Sequence, residues 1–328
     1  MSKAVMEWLT GEDLGEDIPL WLPTERAGED IPLWIPETVR APRAPHAPSE
    51  AVRYHRKSFV AMPLEEQVTT FVALTMLGVD NEINPTIRRA WGRFADLHRD
   101  VASQIHGTLG RGADWPGLSD DPPNPPSSSH AKYGPLMMFL PWHRMFVLWF
   151  EQELRRLFPA VHVPYWDWTT TAGRLIPSII AGYRPVISTP SGRTIRVSRL
   201  RTGPSGPSRG TFDFDNLPSR GDVDTLMSIS DYETFTVRLE MVHNRPHGWI
   251  DGTMGDPNEA PADPVFFLHH AMIDRIWRRW QQAHPSVRHP TATAALPYGG
   301  LSPISVAGRT LRTAADVLSV EDLEYDYA

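Results

Sequence analysis

Apolar residues recur at helical spacing in five stretches of this chain, separated by polar segments rich in Gly and Pro. In the first stretch Val68, Phe71 and Leu74 fall on one helix face, and Gly78 provides a stop signal. The alternation of strands and helices that indicates a parallel α/β sheet is not seen in the sequence. The predicted helices cover residues 63–78, 84–105, 141–158, 231–242 and 266–283.

The segments between these helices are long. Residues 107–135 and 174–225 are rich in Gly, Pro and Ser, which is typical of loops, and residues 303–328 suggest short strands. This pattern predicts a mainly α fold, in which a helical bundle carries long irregular loops and small β pieces. We expect residues 51–328 to form one domain.

Residues 1–50 differ from the rest of the chain. They contain seven prolines, and the segment Gly15–Pro23 returns thirteen positions later as Gly28–Pro36, so that Gly-Glu-Asp-Ile-Pro-Leu-Trp occurs twice. The prolines and acidic side chains predict a disordered tail that aids solubility. The two apolar Ile-Pro-Leu-Trp copies within residues 15–36 favour a second interpretation, in which they are docking motifs for a protein partner.

Charge and composition exclude several classes of protein. Residues 1–50 carry ten acidic and four basic side chains, a balance of −6, so the net charge of −7 leaves −1 for the remainder, which offers no surface for nucleic acid. No stretch approaches the roughly 20 apolar residues of a membrane span, and the N-terminal residues show no run typical of a signal peptide. We therefore expect a cytoplasmic protein without a membrane partner, with export by a helper protein left open.

The candidate chemistry lies in the histidines, of which the chain has thirteen, whereas it has no cysteine. His243 and His247 are four residues apart, so on a helix they share one face. His269 and His270 follow on the next helix, and Asp274 is placed to orient an imidazole. Two or three candidate ligands lie in the N-terminal half, at His98 and His143 with His130 as the third. Three imidazoles per half suggest two metal ions, and ligation by imidazole alone suits copper or zinc.

Several motifs occur in an order that resembles the tyrosinase family, and the likeness extends over roughly residues 60–328. The motifs are Phe139-Leu140-Pro141-Trp142-His143-Arg144 with Glu151, Pro164-Tyr165-Trp166-Asp167-Trp168, His243-Asn244-Arg245-Pro246-His247, Asp263-Pro264-Val265-Phe266-Phe267-Leu268-His269-His270 with Asp274, and Tyr325-Asp326-Tyr327. The resemblance implies a four-helix bundle that holds two copper ions. It also implies an oxidoreductase that acts on phenols with O2.

Carried over residue by residue, the resemblance implies a set of copper ligands. His143 would bind the first copper, and His243, His247 and His270 would bind the second, with His269 as a close neighbour. The segment Trp91–His98 resembles the helix that bears the first ligand in bacterial members, which favours His98 over His106. Tyr133 and Gly134 stand where the middle ligand is usual, so we expect His130, the histidine of that loop, to take its place.

A geometric argument also disfavours His106. It lies eight residues after His98, about 12 Å along a continuous helix, which is too far for both to reach one ion unless the helix ends between them. The first site is therefore predicted to be His98, His130 and His143.

The resemblance leaves three functions open. The first is oxidation of a monophenol, an o-diphenol or an o-aminophenol to a quinone-type product, in which Asn244 and Glu240 would position a water beside the phenol. The second is O2 binding without turnover, as in the haemocyanins. The third is modification of a peptide or carrier-bound phenol engaged by the repeats at 15–36.

Overall fold

The computed structural model describes residues 54–78, 90–107, 130–203, 217–290 and 292–328, except for the side chains of Ala90 and residues 130–136. In these residues there are seven α-helices and six short strands. The helices are α1 (Leu64–Gly78), α2 (Ala90–Ile105), α3 (His130–Leu157), α4 (Ser178–Ala181), α5 (Arg220–Met227), α6 (Tyr232–Ile250) and α7 (Pro264–Ala283). The strands are β1 (Tyr54–Arg56), β2 (Val186–Ser188), β3 (Thr194–Arg196), β4 (Ser305–Val306), β5 (Arg309–Thr310) and β6 (Tyr325–Tyr327).

Four of the helices form the bundle. Helix α3 packs against α2, α6 and α7, and α6 packs against α7. Aromatic side chains fill the space between them, since Phe150 stacks on Phe267 with ring centroids 3.5 Å apart and Phe94 meets Phe146 edge-on at 5.3 Å. All four rings are buried. The predicted mainly α fold with a four-helix bundle is therefore confirmed.

Helix α3 begins earlier than predicted. Pro141, which suggested a helix start, lies eleven residues inside a helix that begins at His130. A proline has no N–H, so the carbonyl of Met137, four residues earlier, loses its usual helical partner. That carbonyl instead accepts hydrogen bonds from the Tyr232 hydroxyl at 3.3 Å and His289 Nε2 at 3.1 Å. Donors from outside the helix therefore allow α3 to continue through Pro141.

The loop region after α3 fixes the start of α7. Asp263 caps α7 by accepting from the N–H of Val265, and both of its carboxylate oxygens accept from Arg199 at 2.6 Å. Arg199 also donates to the carbonyl of Ile180 in α4. The side chains of Arg199 and Asp263 are fully buried. This bidentate pair holds the irregular excursion at 174–203 against the bundle.

The strands form three two-stranded sheets. Parallel pairing of β1 with β6 brings residue 54 beside residue 325, and β2–β3 and β4–β5 are antiparallel. The predicted small β pieces at 303–328 are thus confirmed.

The predicted tail at residues 1–50, with its repeats, lies outside the described residues. Within the described ranges, no helix is both long and apolar enough to cross a membrane.

Candidate metal centre

The first histidine trio consists of His98, His106 and His143. One ring nitrogen from each lies within 4.8 Å of the others, and all three side chains are buried. His98 projects from α2, His143 projects from α3, and His106 follows directly after the last residue of α2. The Nε2 atoms of His98 and His106 are 3.2 Å apart.

The geometric argument against His106 is wrong. It assumed that one helix carries both His98 and His106, but α2 ends at Ile105. The chain therefore turns immediately after the helix and swings the imidazole of His106 back toward His98. Gly107, which follows, is the stop signal that could have revealed this turn. The side chain of His130, the predicted middle ligand, is outside the described side chains.

The second trio comes from two helices. His243 and His247 lie one turn apart on α6, as the four-residue spacing predicted, and His270 lies on α7. The Nε2 atoms of His243 and His270 are 3.2 Å apart. The ring centroids of His243 and His247 are 4.5 Å apart.

His269 competes with His270 by distance but not by hydrogen bonding. By distance His269 completes a trio, because the ring nitrogens of His243, His247 and His269 lie within 4.8 Å of one another. However, its Nδ1 accepts from the indole N–H of Trp168 at 3.1 Å, and its Nε2 bonds the carbonyl of His243 at 3.1 Å. Because both nitrogens are engaged, His269 has no lone pair left for an ion. This hydrogen bonding favours His270 over His269 as a metal ligand, and the assignment stays a prediction.

Five of the six imidazoles are oriented in the same way. In each, Nδ1 donates to an oxygen, which leaves the Nε2 lone pair directed inward. The acceptors are the carbonyls of Pro257 for His98, Phe139 for His143 and Met254 for His247, and the side-chain oxygens of Glu240 for His106 and Asn244 for His243. The sequence alone gave no signal for the three carbonyls.

Two of these acceptors were predicted to have a different role. Glu240 is fully buried and accepts from His106 Nδ1 at 3.2 Å and from the N–H of Gly107 at 3.3 Å. Asn244 accepts from His243 Nδ1 at 3.0 Å. In this arrangement both residues orient an imidazole, and their predicted role in holding a water beside a phenol stays a prediction.

Burial favours the neutral form of five of the six imidazoles. It lowers the pKa values of His98, His143, His243 and His270 well below 6.5, and lowers the pKa of His247 to about 4. Repulsion between the imidazoles adds to the effect in all five. Neutral imidazole is the form that binds a metal ion. The Nε2 atoms of His143 and His247 are buried with no hydrogen-bond partner. The Nε2 atoms of His98 and His106 are 3.2 Å apart, as are those of His243 and His270. The two lone pairs of each pair of rings face each other, and a cation bound by both nitrogens would stabilise this arrangement.

The two trios are in direct contact. The rings of His143 and His270 stack at 4.2 Å with an angle of 10° between their planes. The rings of His106 and His243 lie 5.9 Å apart. The described residues therefore provide two adjacent groups of imidazole nitrogen donors, which fit a pair of copper ions.

Asp274 does not orient an imidazole, so that prediction is wrong. Its carboxylate accepts from Arg144 at 2.5 Å, from the hydroxyl groups of Tyr325 and Tyr327 at 2.6 and 2.5 Å, and from Arg56 at 3.4 Å. Asp274 points toward this buried network because two arginines offer it stronger partners than a neutral imidazole does. The network joins α7 to α3 and to the β1–β6 pair.

Comparison with known proteins agrees with this geometry. The common central domain of tyrosinase matches residues 88–202 and 208–283. The chain is 30% identical to a tyrosinase of Streptomyces antibioticus over 223 residues, covering 57% of this chain and 76% of the relative. It is 32% identical to the grixazone synthase of Streptomyces griseus over 209 residues, covering 46% and 67%.

A solved structure shows the same fold at lower identity. A functional unit of octopus hemocyanin superposes with a TM-score of 0.57 at 19% identity, covering 84% of this chain and 68% of that one. The chain belongs to the tyrosinase family, whose cofactor is a pair of copper ions, and its two histidine trios are consistent with that pair.

Proposed function

We propose that this chain oxidises phenols with O2 to quinone-type products, acting on a monophenol, an o-diphenol or an o-aminophenol. The observation that carries the proposal is the pair of adjacent imidazole trios in a chain of this family. The tyrosinases of Streptomyces among its relatives support turnover of a phenol. When bound, the copper pair supplies the redox chemistry that couples oxidation of the phenol to reduction of O2.

The ligand assignment is part of this proposal. His98, His106 and His143 would hold the first copper, and His243, His247 and His270 the second. The Nδ1 hydrogen bonds fix each ring so that Nε2 faces the ion, except at His270, whose Nδ1 is buried without a partner. His270 is instead held by packing, between the ring of His143 at 4.2 Å and that of Phe266 at 4.1 Å.

Aromatic side chains pack against the imidazoles of both trios. Phe139 lies 4.9 Å from the rings of both His143 and His243. Phe266 contacts His270 and also lies 5.3 Å from the ring of His98. These apolar rings keep water away from the imidazoles that they cover.

O2 uptake distinguishes the candidate functions. The copper-loaded chain is supplied with phenol, catechol or 2-aminophenol in turn, and O2 consumption and product absorbance are followed. Consumption with at least one of them, absent in His143→Ala, supports the proposal. Reversible O2 binding without consumption would support the haemocyanin-like alternative, which the octopus structure suggests by fold alone. A chain that takes up no copper would contradict both.

We also propose that the repeats at 15–36 bind a protein partner rather than act in catalysis. Two copies of an apolar motif on one tether raise the effective concentration of the second copy after the first has bound. If so, replacement of both Trp21 and Trp34 by alanine leaves oxidation of catechol unchanged. An increase in turnover of several-fold would contradict the proposal, because it would mean that the repeats obstruct the copper centre.

A further inference from the structure

A cavity lies apart from the two histidine trios. It has a volume of about 440 Å³ and lies between α5, α7 and the turn that follows Tyr165. Its walls include Arg220 and Asp224 from α5, Arg275, Arg279 and Met272 from α7, and Thr169 from the turn. This volume is within the range of small-molecule sites, roughly 300–1,000 Å³.

The cavity is on the far side of α7 from the metal centre. At about 100° per residue, Arg279 is roughly 180° around the helix from His270, and Arg275 roughly 140°. Met272 is buried, so the helix itself separates the cavity from the imidazoles. A ligand bound there would not contact the copper ions.

The arginines of the cavity lack anionic partners. In the part of the chain that the structure describes, Arg220, Arg275 and Arg279 form no ion pair, although the guanidinium of Arg275 is held 4.6 Å above the ring of Tyr165. Their neighbour Arg278, on the same helix, is paired with both Glu321 and Asp326. Arg278 therefore has carboxylates at ion-pair distance, whereas in the described residues the three arginines of the cavity have none.

The spacing of two of these arginines strengthens the point. Arg275 and Arg279 are four residues apart, so their like charges face each other on one side of α7 and destabilise the helix. An oxyanion between them would remove this repulsion. Guanidinium groups bind carboxylate or phosphate through two parallel hydrogen bonds.

Two carboxylates also line the cavity and limit its charge. Asp167 is turned toward its own backbone, since its Oδ1 accepts from the N–H of Thr169 at 3.1 Å and from the Thr169 hydroxyl at 2.5 Å. With Asp224, it leaves a formal balance of +1 over the three arginines. Such a lining favours a ligand with an oxyanion and hydrogen-bond donors over a bare polyanion.

We propose that this cavity binds a small organic molecule with one carboxylate or phosphate group and adjacent hydroxyl or amino groups. The arginines would hold the oxyanion, and Asp167 and Asp224 would accept from the donors. The apolar surface of Met272 and Val223 would contact the carbon skeleton.

Calorimetric titration of the copper-loaded full chain tests this. The probes are glycerate for the carboxylate, glycerol 3-phosphate for the phosphate, and sodium chloride at equal ionic strength. We expect saturable 1:1 binding of glycerate or glycerol 3-phosphate, but not of chloride, and the preferred probe identifies the oxyanion. Arg275→Gln and Arg279→Gln should each weaken binding about tenfold.

Arg196→Gln is the matched control, because Arg196 is exposed on β3 and the change in charge is the same. Thermal unfolding of each variant verifies that it is folded. Absence of saturable binding by both organic probes would overturn the proposal. So would equal weakening by Arg196→Gln, because binding would then follow overall charge rather than this cavity.

Discussion

The two histidine trios are built differently. In the second trio all three imidazoles lie within helices, and α6 supplies two of them at a four-residue spacing. In the first trio only His98 and His143 lie within helices, whereas His106 follows the end of α2 and is held by Glu240. Glu240 belongs to α6, the helix that carries the second trio. The first trio is therefore completed by a hydrogen bond from the other half of the centre.

This difference indicates which parts of the centre depend on each other. The Nδ1 acceptors of the second trio are Asn244 and the carbonyl of Met254, so loss of Glu240 should leave both in place. The first trio needs α6 as well, so we expect it to be the more easily lost. Substitutions in each trio should reveal this asymmetry, in which the first trio depends on α6 and the second does not depend on α2.

Removal of one ligand from each trio should have the largest effect. His143→Ala and His270→Ala should each abolish O2 uptake, because both ions are needed, and each should lower the copper content from two toward one per chain. Metal analysis and O2 uptake measure both quantities. His55→Ala, at an exposed position of β1, is the control and should retain both. Full copper in both variants would refute the ligand assignment.

Loss of the charge of Asp274 should damage both trios alike. Arg144 and Arg56 are buried, and Asp274→Asn would leave them without this carboxylate, at a cost of about 3–5 kcal/mol in the free energy of unfolding. Chemical denaturation of the copper-free protein measures the cost. A stable variant that loses copper from only one site would show that the network serves one trio and not the whole bundle.

Replacement of Glu240 or Asn244, the two side-chain acceptors, should affect one trio and spare the other. Glu240→Met removes the acceptor of His106 and should weaken the first copper about 10–100-fold while sparing the second. Asn244→Leu removes the acceptor of His243 and should do the reverse. Competitive chelation resolves the two affinities. Glu240→Gln, which keeps a neutral acceptor, should weaken the first site less, and equal loss from both sites in Glu240→Met would contradict the asymmetry.

The smallest expected effect is on stability at low pH, through His289, which donates to the Met137 carbonyl that Pro141 leaves without a helical partner. Burial lowers the pKa of His289 from 6.5 to about 4. Between these values the unfolded chain binds a proton that the folded chain does not, so stability is lost as the pH falls from about 6.5 to about 4. His289→Gln keeps a donor for Met137 but does not titrate, so the copper-free variant should lose less stability than the parent over this range. An identical pH dependence in both proteins would contradict this role.

The sequence predicted the second trio more fully than the first. The spacing of His243 and His247 is fixed by helix geometry, and the choice of His270 over His269 is supported by hydrogen bonds that occupy His269. The position of His106 depends on where α2 ends and on Glu240, which is 134 residues away in sequence. A local pattern cannot contain such a contact.

Two further differences between the predicted and the observed structure also arise from contacts that are distant in sequence. Proline is common at the first position of a helix, but at Pro141 the donors that replace the missing hydrogen bond come from Tyr232 and His289. Asp274 was expected to face an imidazole because it follows His270 by four residues. It faces Arg144 instead, which tertiary packing brings to it. Long-range partners decided both cases.

Anomalous diffraction at the copper absorption edge, from crystals of the copper-loaded chain, tests the central claim most directly. Two adjacent peaks are expected, one within bonding distance of Nε2 of His98, His106 and His143, and the other within bonding distance of Nε2 of His243, His247 and His270. A first peak bonded to His130 with His106 turned away, or a second peak bonded to His269 in place of His270, would contradict this account.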